Sequence, residues 1–192
     1  MDSEPCNLAL KNALTALKPG VRLPENVFAG SWSNFLFLES DALFVGRFVW
    51  AIKEFLRIEG AAAACLVNLT RHARSSDEHA ALCLDNGITN DSYQEALRAE
   101  RGDMAWLYHM EDYVCGSNVG GWCMYAEKEN DLAVIALKNI AASTQFHYAL
   151  GYLGADSLTY LLRARFPFTH LTAEWRAALI RNYRPSKGRN PQ

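Results

Sequence analysis

The stretch WCMYAEKENDLAVIALK, residues 122–138, constrains the fold more than any other. Two apolar runs of strand length flank a polar centre at Glu129-Asn130-Asp131. Asn and Asp tolerate the left-handed backbone that a tight reversal needs, so the stretch predicts a β-hairpin. If Asn130-Asp131 closes a two-residue loop, Met124, Ala126, Ile135 and Leu137 share one face and make a good core side. Cys123, Tyr125, Glu127, Val134 and Ala136 then share the other, which is half apolar and half polar. Either the protein's own helices cover that second face or another protein does. A register slip of one residue would exchange the two faces.

Helical patterns surround this hairpin. Residues 5–18 predict a first helix, with Pro5 near its start and Pro19-Gly20 as a stop. NFLFL (34–38) reads as a short strand. Ser40-Asp41 then offers a side-chain cap to a helix over 41–58, whose Phe44, Phe48, Ile52 and Phe55 form one apolar stripe ending at Gly60. Cys65-Leu66-Val67 soon after Gly60 suggests that 61–69 is a buried strand, although its alanines favour helix. HARSSDEH (72–79) reads as a polar loop, and AALCL (80–84) is a second short apolar run before the turn at Asp85-Asn86-Gly87. Asn90-Asp91 caps a helix to about Glu100. AWLYHMEDYV (105–114) alternates like a strand, and GSNVGG (116–121) reads as a glycine-rich turn. In the last third, Asp156 can cap LTYLLRARF, and Thr172 can cap a helix with Trp175, Leu179 and Tyr183 four residues apart. Helices from both ends around a mostly antiparallel sheet give a single α+β domain over 1–184, with 185–192 as a disordered tail.

Composition narrows the function. Half of the 192 residues are hydrophobic and 21% are charged, which suits one packed domain. A formal charge of −2 gives no general pull toward nucleic acid or anionic membrane. The acidic start MDSEPCNL is unlike a signal peptide, and no run of about 18 uncharged apolar residues is present to span a membrane. Five scattered cysteines without a CxxC pair favour reduced thiols in a cytoplasm.

Few motifs carry chemistry. GSNVGG lies between two strands and lacks the Lys-Ser pair of a phosphate loop. His72, His79, His109, His147 and His170 show no zinc-ligand spacing, so no metal and no cofactor are expected. Cys115 or Cys123 could pair with His109 or His147, but free cysteines in apolar runs are more often inert packing residues. The acids Glu111, Asp112, Glu127, Glu129 and Asp131 could divide acid and base roles only if burial shifted their pKa values; solvated strand ends are their usual home. Aromatic residues beside charged rims also have the composition of an interaction patch.

The run FLFLESDALF…FLRIEG, with the hairpin WCMYAEKENDLAVIALK, resembles the small α+β immunity proteins of bacterial toxin systems. The resemblance covers roughly residues 34–138 and carries no diagnostic motif. It implies a cytoplasmic inhibitor that binds a cognate toxin domain and blocks it, with no catalytic residues of its own. The expected partner surface is Glu111, Tyr125, Glu127, Glu129 and Asp131, an acidic and aromatic face suited to a basic toxin. The alternative is a small hydrolase-type enzyme with carboxylates or a Cys/His pair brought together from distant segments. A structural subunit of a complex is a third reading.

Overall fold

A computed structural model describes residues 3–74, 80–98, 110–139, 144–158 and 170–183. The hairpin forms from β5 (Trp122–Glu127) and β6 (Leu132–Leu137). Its loop is longer than expected: Lys128–Asn130 make a 3₁₀ turn, Asp131 takes the left-handed backbone at φ 53°, and Glu127 pairs with Leu132. This register differs by two residues from that of a two-residue loop. An even shift leaves every side chain on its expected face.

Four further strands complete the sheet: β1 (Asn34–Glu39), β2 (Ala63–Asn68), β3 (Ala81–Asp85) and β4 (Asp112–Ser117). Their order is β1-β6-β5-β4-β2-β3, and every neighbouring pair is antiparallel. Among the described residues, six α-helices pack on it: α1 (Glu4–Thr15), α2 (Gly46–Glu59), α3 (Leu69–Arg74), α4 (Asn90–Arg98), α5 (His147–Leu153) and α6 (Ala173–Asn182). The chain is a single α+β domain. No helix of the described residues is long and apolar enough to cross a membrane.

Helices cover both faces, which is why the central strands read as unbroken apolar runs. On one face Trp122, Met124, Ile135 and Leu137 meet Phe48, Ile52 and Phe55 of α2 and Ala149, Leu150 and Leu153 of α5. On the other, Cys123, Tyr125, Val134 and Ala136 meet Ala9 and Ala13 of α1, Leu179 of α6, and Leu23, Val27 and Phe28 of the segment after α1. The protein's own elements therefore cover the hairpin's second face. Thr172 caps α6 as expected, its hydroxyl accepting from the Trp175 amide at 3.2 Å.

Four local expectations are corrected. The helix predicted over 41–58 is two pieces, a 3₁₀ turn at Ser40–Phe44 and α2, separated by extended Val45. The Ser40 hydroxyl caps nothing; it is buried without a partner. The break lies beside Gly46, where a Cβ would come within 2.4 Å of the Asn90 side chain at the start of α4, a contact that a turn of that exposed side chain would relieve. Second, the polar loop at 72–79 begins as helix, because Asn68 Oδ1 accepts from the Arg71 amide and caps α3. Third, Gly116 and Ser117 belong to β4, and the turn after them is pinned: Asn118 Oδ1 accepts from Ala62 and Ala63, and Gly120 donates to Ser117. The strand expected over 105–114 starts only at Asp112, its 105–109 portion lying outside the described residues. Most of the helix after Asp156 and the tail at 185–192 also lie outside them.

The thiols differ from expectation too. Cys6 of α1 and Cys83 of β3 are joined in a disulfide, with Cα atoms 5.6 Å apart. Cys65, Cys115 and Cys123 are free and buried.

Candidate functional site

Residues at one end of the sheet collect most of the polar chemistry. Asp112 of β4 stands directly opposite Glu127 of β5, and two facing carboxylates repel. Arg22, from the segment after α1, settles between them. Its guanidinium donates to Asp112 at 2.9 Å and to Glu129 at 3.3 Å, and its Nε lies 3.8 Å from Glu127. Partial burial works against its charge, but Asp112 and Glu127 outweigh this and raise its pKa further.

Glu127 is fully buried. One of its oxygens accepts from the Leu23 amide at 2.7 Å and from the Tyr125 hydroxyl at 2.9 Å; the other accepts from the Asn130 amide at 2.5 Å. Burial raises its pKa above the ordinary carboxyl value, and these three hydrogen bonds oppose the rise without cancelling it. Burial also pushes the Tyr125 hydroxyl upward, reinforced by the charge of Glu127. A second unit lies beside this one: Glu111 accepts from the Asn68 side chain and pairs with Arg71 at 3.7 Å.

The five residues expected to face a partner therefore divide. Tyr125 and Glu127 are at 2% and 0% exposure, so they lie inside the domain and present no outward surface. The cause is the covering of the hairpin's second face by α1 and the segment after it. Glu111 and Asp131 are half-buried, and Glu129 stays exposed, its side chain at 63%. Arg22 and Arg71 offset much of the acidity, so the hairpin tip is not an open acidic face.

Among the described residues, the expected thiol–imidazole and metal groupings do not come together. Cys123 faces α1, whereas exposed His147 sits on α5 across the sheet. Burial pushes the Cys65 thiol up to about 12 and those of Cys115 and Cys123 well above their ordinary value, which removes the reactive thiolate. His109 lies outside the described residues. Among those described, no three His, Cys, Asp or Glu side chains gather as a metal site. Both oxygens of Glu127 accept hydrogen bonds from within the domain, and they hold the Leu23 segment onto the sheet.

A different surface has the composition of a binding site. Trp50 on α2 and Tyr152 on α5 meet edge to face with ring centroids 4.7 Å apart. They are 43% and 54% exposed, and Tyr148, one turn before Tyr152, is 85% exposed. Arg47, Trp50, Glu54 and Arg57 share the outer stripe of α2, and Arg57 donates to Glu54 through two nitrogens at 3.0 and 2.8 Å. Three large aromatics thus stand in water beside charged side chains. The sequence carried a signal for Trp50: it lies off the Phe48–Ile52–Phe55 stripe, on the polar side of the helix. Nothing comparable marked Tyr148, Tyr152 or Arg22.

Comparison with known proteins adds no name. No protein-family model, curated protein or solved structure matches the chain.

Proposed function

We propose that this protein is a protein-binding module whose partner seats on the aromatic surface of Trp50, Tyr148 and Tyr152. The observation that carries this reading is the Trp50–Tyr152 contact left in solvent at the junction of two helices. Tyr and Trp bring large contact areas with few rotatable bonds, and with Arg they dominate the energetics of protein interfaces. The rings are already positioned against each other, which lowers the ordering cost of association.

The form of module we favour is an inhibitor of the toxin-immunity kind, on the resemblance of residues 34–138 to such proteins. Its partner is then a bacterial toxin domain, not a nucleic acid, in keeping with a net charge of −2. Three free, buried thiols favour a cytoplasmic setting, while the Cys6–Cys83 bond favours an oxidising one.

Co-expression with the product of the adjacent gene tests the reading. Trp50→Ala with Tyr152→Ala should leave the melting temperature within a few degrees of the parent, because both residues are exposed. It should weaken binding by roughly thirtyfold or more and abolish rescue from toxicity. Unchanged affinity and rescue would mean that the partner seats elsewhere. A neighbour that is neither bound nor neutralised would sink the immunity form of the proposal.

A further inference from the structure

Taking the surface of Trp50, Tyr148 and Tyr152 as the place where a partner seats, we propose that it selects an acidic segment of that partner protein. Trp50 stands on α2 between Arg47 and Lys53, the first three residues before it and the second three after. Side chains at that spacing are neighbours on a helix surface. Neither cation forms an ion pair or a side-chain hydrogen bond among the described residues. Exposed rings thus lie beside two unpaired positive charges.

The acids of the same elements are already engaged. Glu54 accepts from two nitrogens of Arg57. Glu59 accepts from the Gly121 amide, and its other oxygen is buried. Helix α5 exposes His147, Tyr148, Gly151 and Tyr152 and contains no acid. Asp156, the first acid after it, accepts from the Ser157 amide, and its backbone is bound to Phe37 of β1. Asp91 and Glu95 of α4 line a hollow of their own with Arg98. The docking surface therefore has positive charge to spare, the reverse of the acidic face that the sequence suggests. An acidic segment gains there twice: its apolar side chains cover the rings, and its carboxylates accept charge-assisted hydrogen bonds from Arg47 and Lys53. A basic segment meets like charge. Single-stranded nucleic acid fits less well, because it needs open ring faces along a cationic groove, whereas Trp50 and Tyr152 pack edge to face.

Matched probes test the selection on the full chain. Capped peptides with a shared Phe-x-x-Phe anchor, otherwise all Glu, all Gln or all Lys, differ only in charge, and oligo-dT represents nucleic acid. In NMR titrations the Glu peptide should give saturable shifts at the Trp50 indole N–H and the Tyr148 and Tyr152 amides. The Gln peptide should bind roughly tenfold more weakly and the Lys peptide not measurably. Added salt should narrow the gap between Glu and Gln peptides. Arg47→Gln with Lys53→Gln should erase that gap and leave the affinity for the Gln peptide unchanged, which also shows that the variant is folded. Equal affinity of the parent for the Glu and Gln peptides would overturn the charge selection and leave the aromatic surface standing. Preference for the Lys peptide, or tighter binding of oligo-dT at these residues, would overturn it as well. No saturable shift with any probe would overturn it and count against the aromatic surface itself.

Discussion

At the scale of the residue, Glu127 sets the local balance of forces. Its carboxylate satisfies three donors that have no other acceptor, from Leu23, Tyr125 and Asn130, and it faces Arg22. Glu127→Ala strands those donors in the interior and should cost about 3 kcal/mol in denaturant unfolding. Glu127→Gln keeps an oxygen for Leu23 and Tyr125, and the Asn130 amide can turn to accept from the new one. Its cost should be about 1 kcal/mol or less. The two variants also differ in pH dependence. Burial raises the folded-state pKa of Glu127 above the unfolded value, so between the two values the folded protein binds more protons. Its contribution to stability is full below the ordinary carboxyl pKa and is lost as pH rises through the folded one. Unfolding free energy from about pH 4.3 upward should thus fall more steeply for the parent than for Glu127→Gln. Equal slopes would mean that burial does not raise the carboxyl pKa of Glu127. None of this was legible in the sequence. An acid at the edge of a hairpin turn usually lies in water, and its burial depends on Leu23 and Arg22, over a hundred positions away.

At the scale of the element, α1 rests on the sheet through its smallest residues. A Cβ on Gly116 of β4 would lie 3.4 Å from the Cα and Cβ of Ala13, so helix and strand meet with almost no side chain between them. Gly116→Ala should fit at that distance, whereas Gly116→Leu must lift the helix and should cost about 3 kcal/mol by overpacking. Comparing the two by chemical denaturation checks the close approach; equal stability would show that α1 can move away freely. Elements of this kind were legible where local pattern and packing agree. The strand at 34–38, the Phe48–Ile52–Phe55 stripe, the stop at Gly60 and the Thr172 cap all stand as read. Where packing overrides local pattern, the reading failed. Gly116 resembled a turn residue because glycine is common in turns; in the fold it is a strand residue of β4 lying against Ala13 of α1.

At the scale of the whole molecule, the Cys6–Cys83 bond links the first helix to the last strand in the sheet order. Helix α1 crosses β4 and β2 to reach β3, so the bond ties an edge strand to the layer above it. The bonded residues are 77 apart in sequence, and closing a loop of that size in the unfolded chain is worth about 4 kcal/mol by chain entropy. Cys83→Ser should lower the stability of oxidised protein by about that amount and have little effect in excess reductant. Equal stability of parent and variant under oxidising conditions would mean that the bond constrains nothing. Thiol trapping in cells then addresses where the protein works. Cys65, Cys115 and Cys123 are buried with raised pKa values, so they should react with an alkylating reagent only after unfolding. They count the thiols that are reduced wherever the chain resides. If Cys6 and Cys83 are blocked together while those three alkylate on denaturation, the protein has matured in an oxidising compartment. If all five alkylate, the chain folds and acts with the link open, as a cytoplasmic inhibitor would, and its stability rests on the two apolar cores alone.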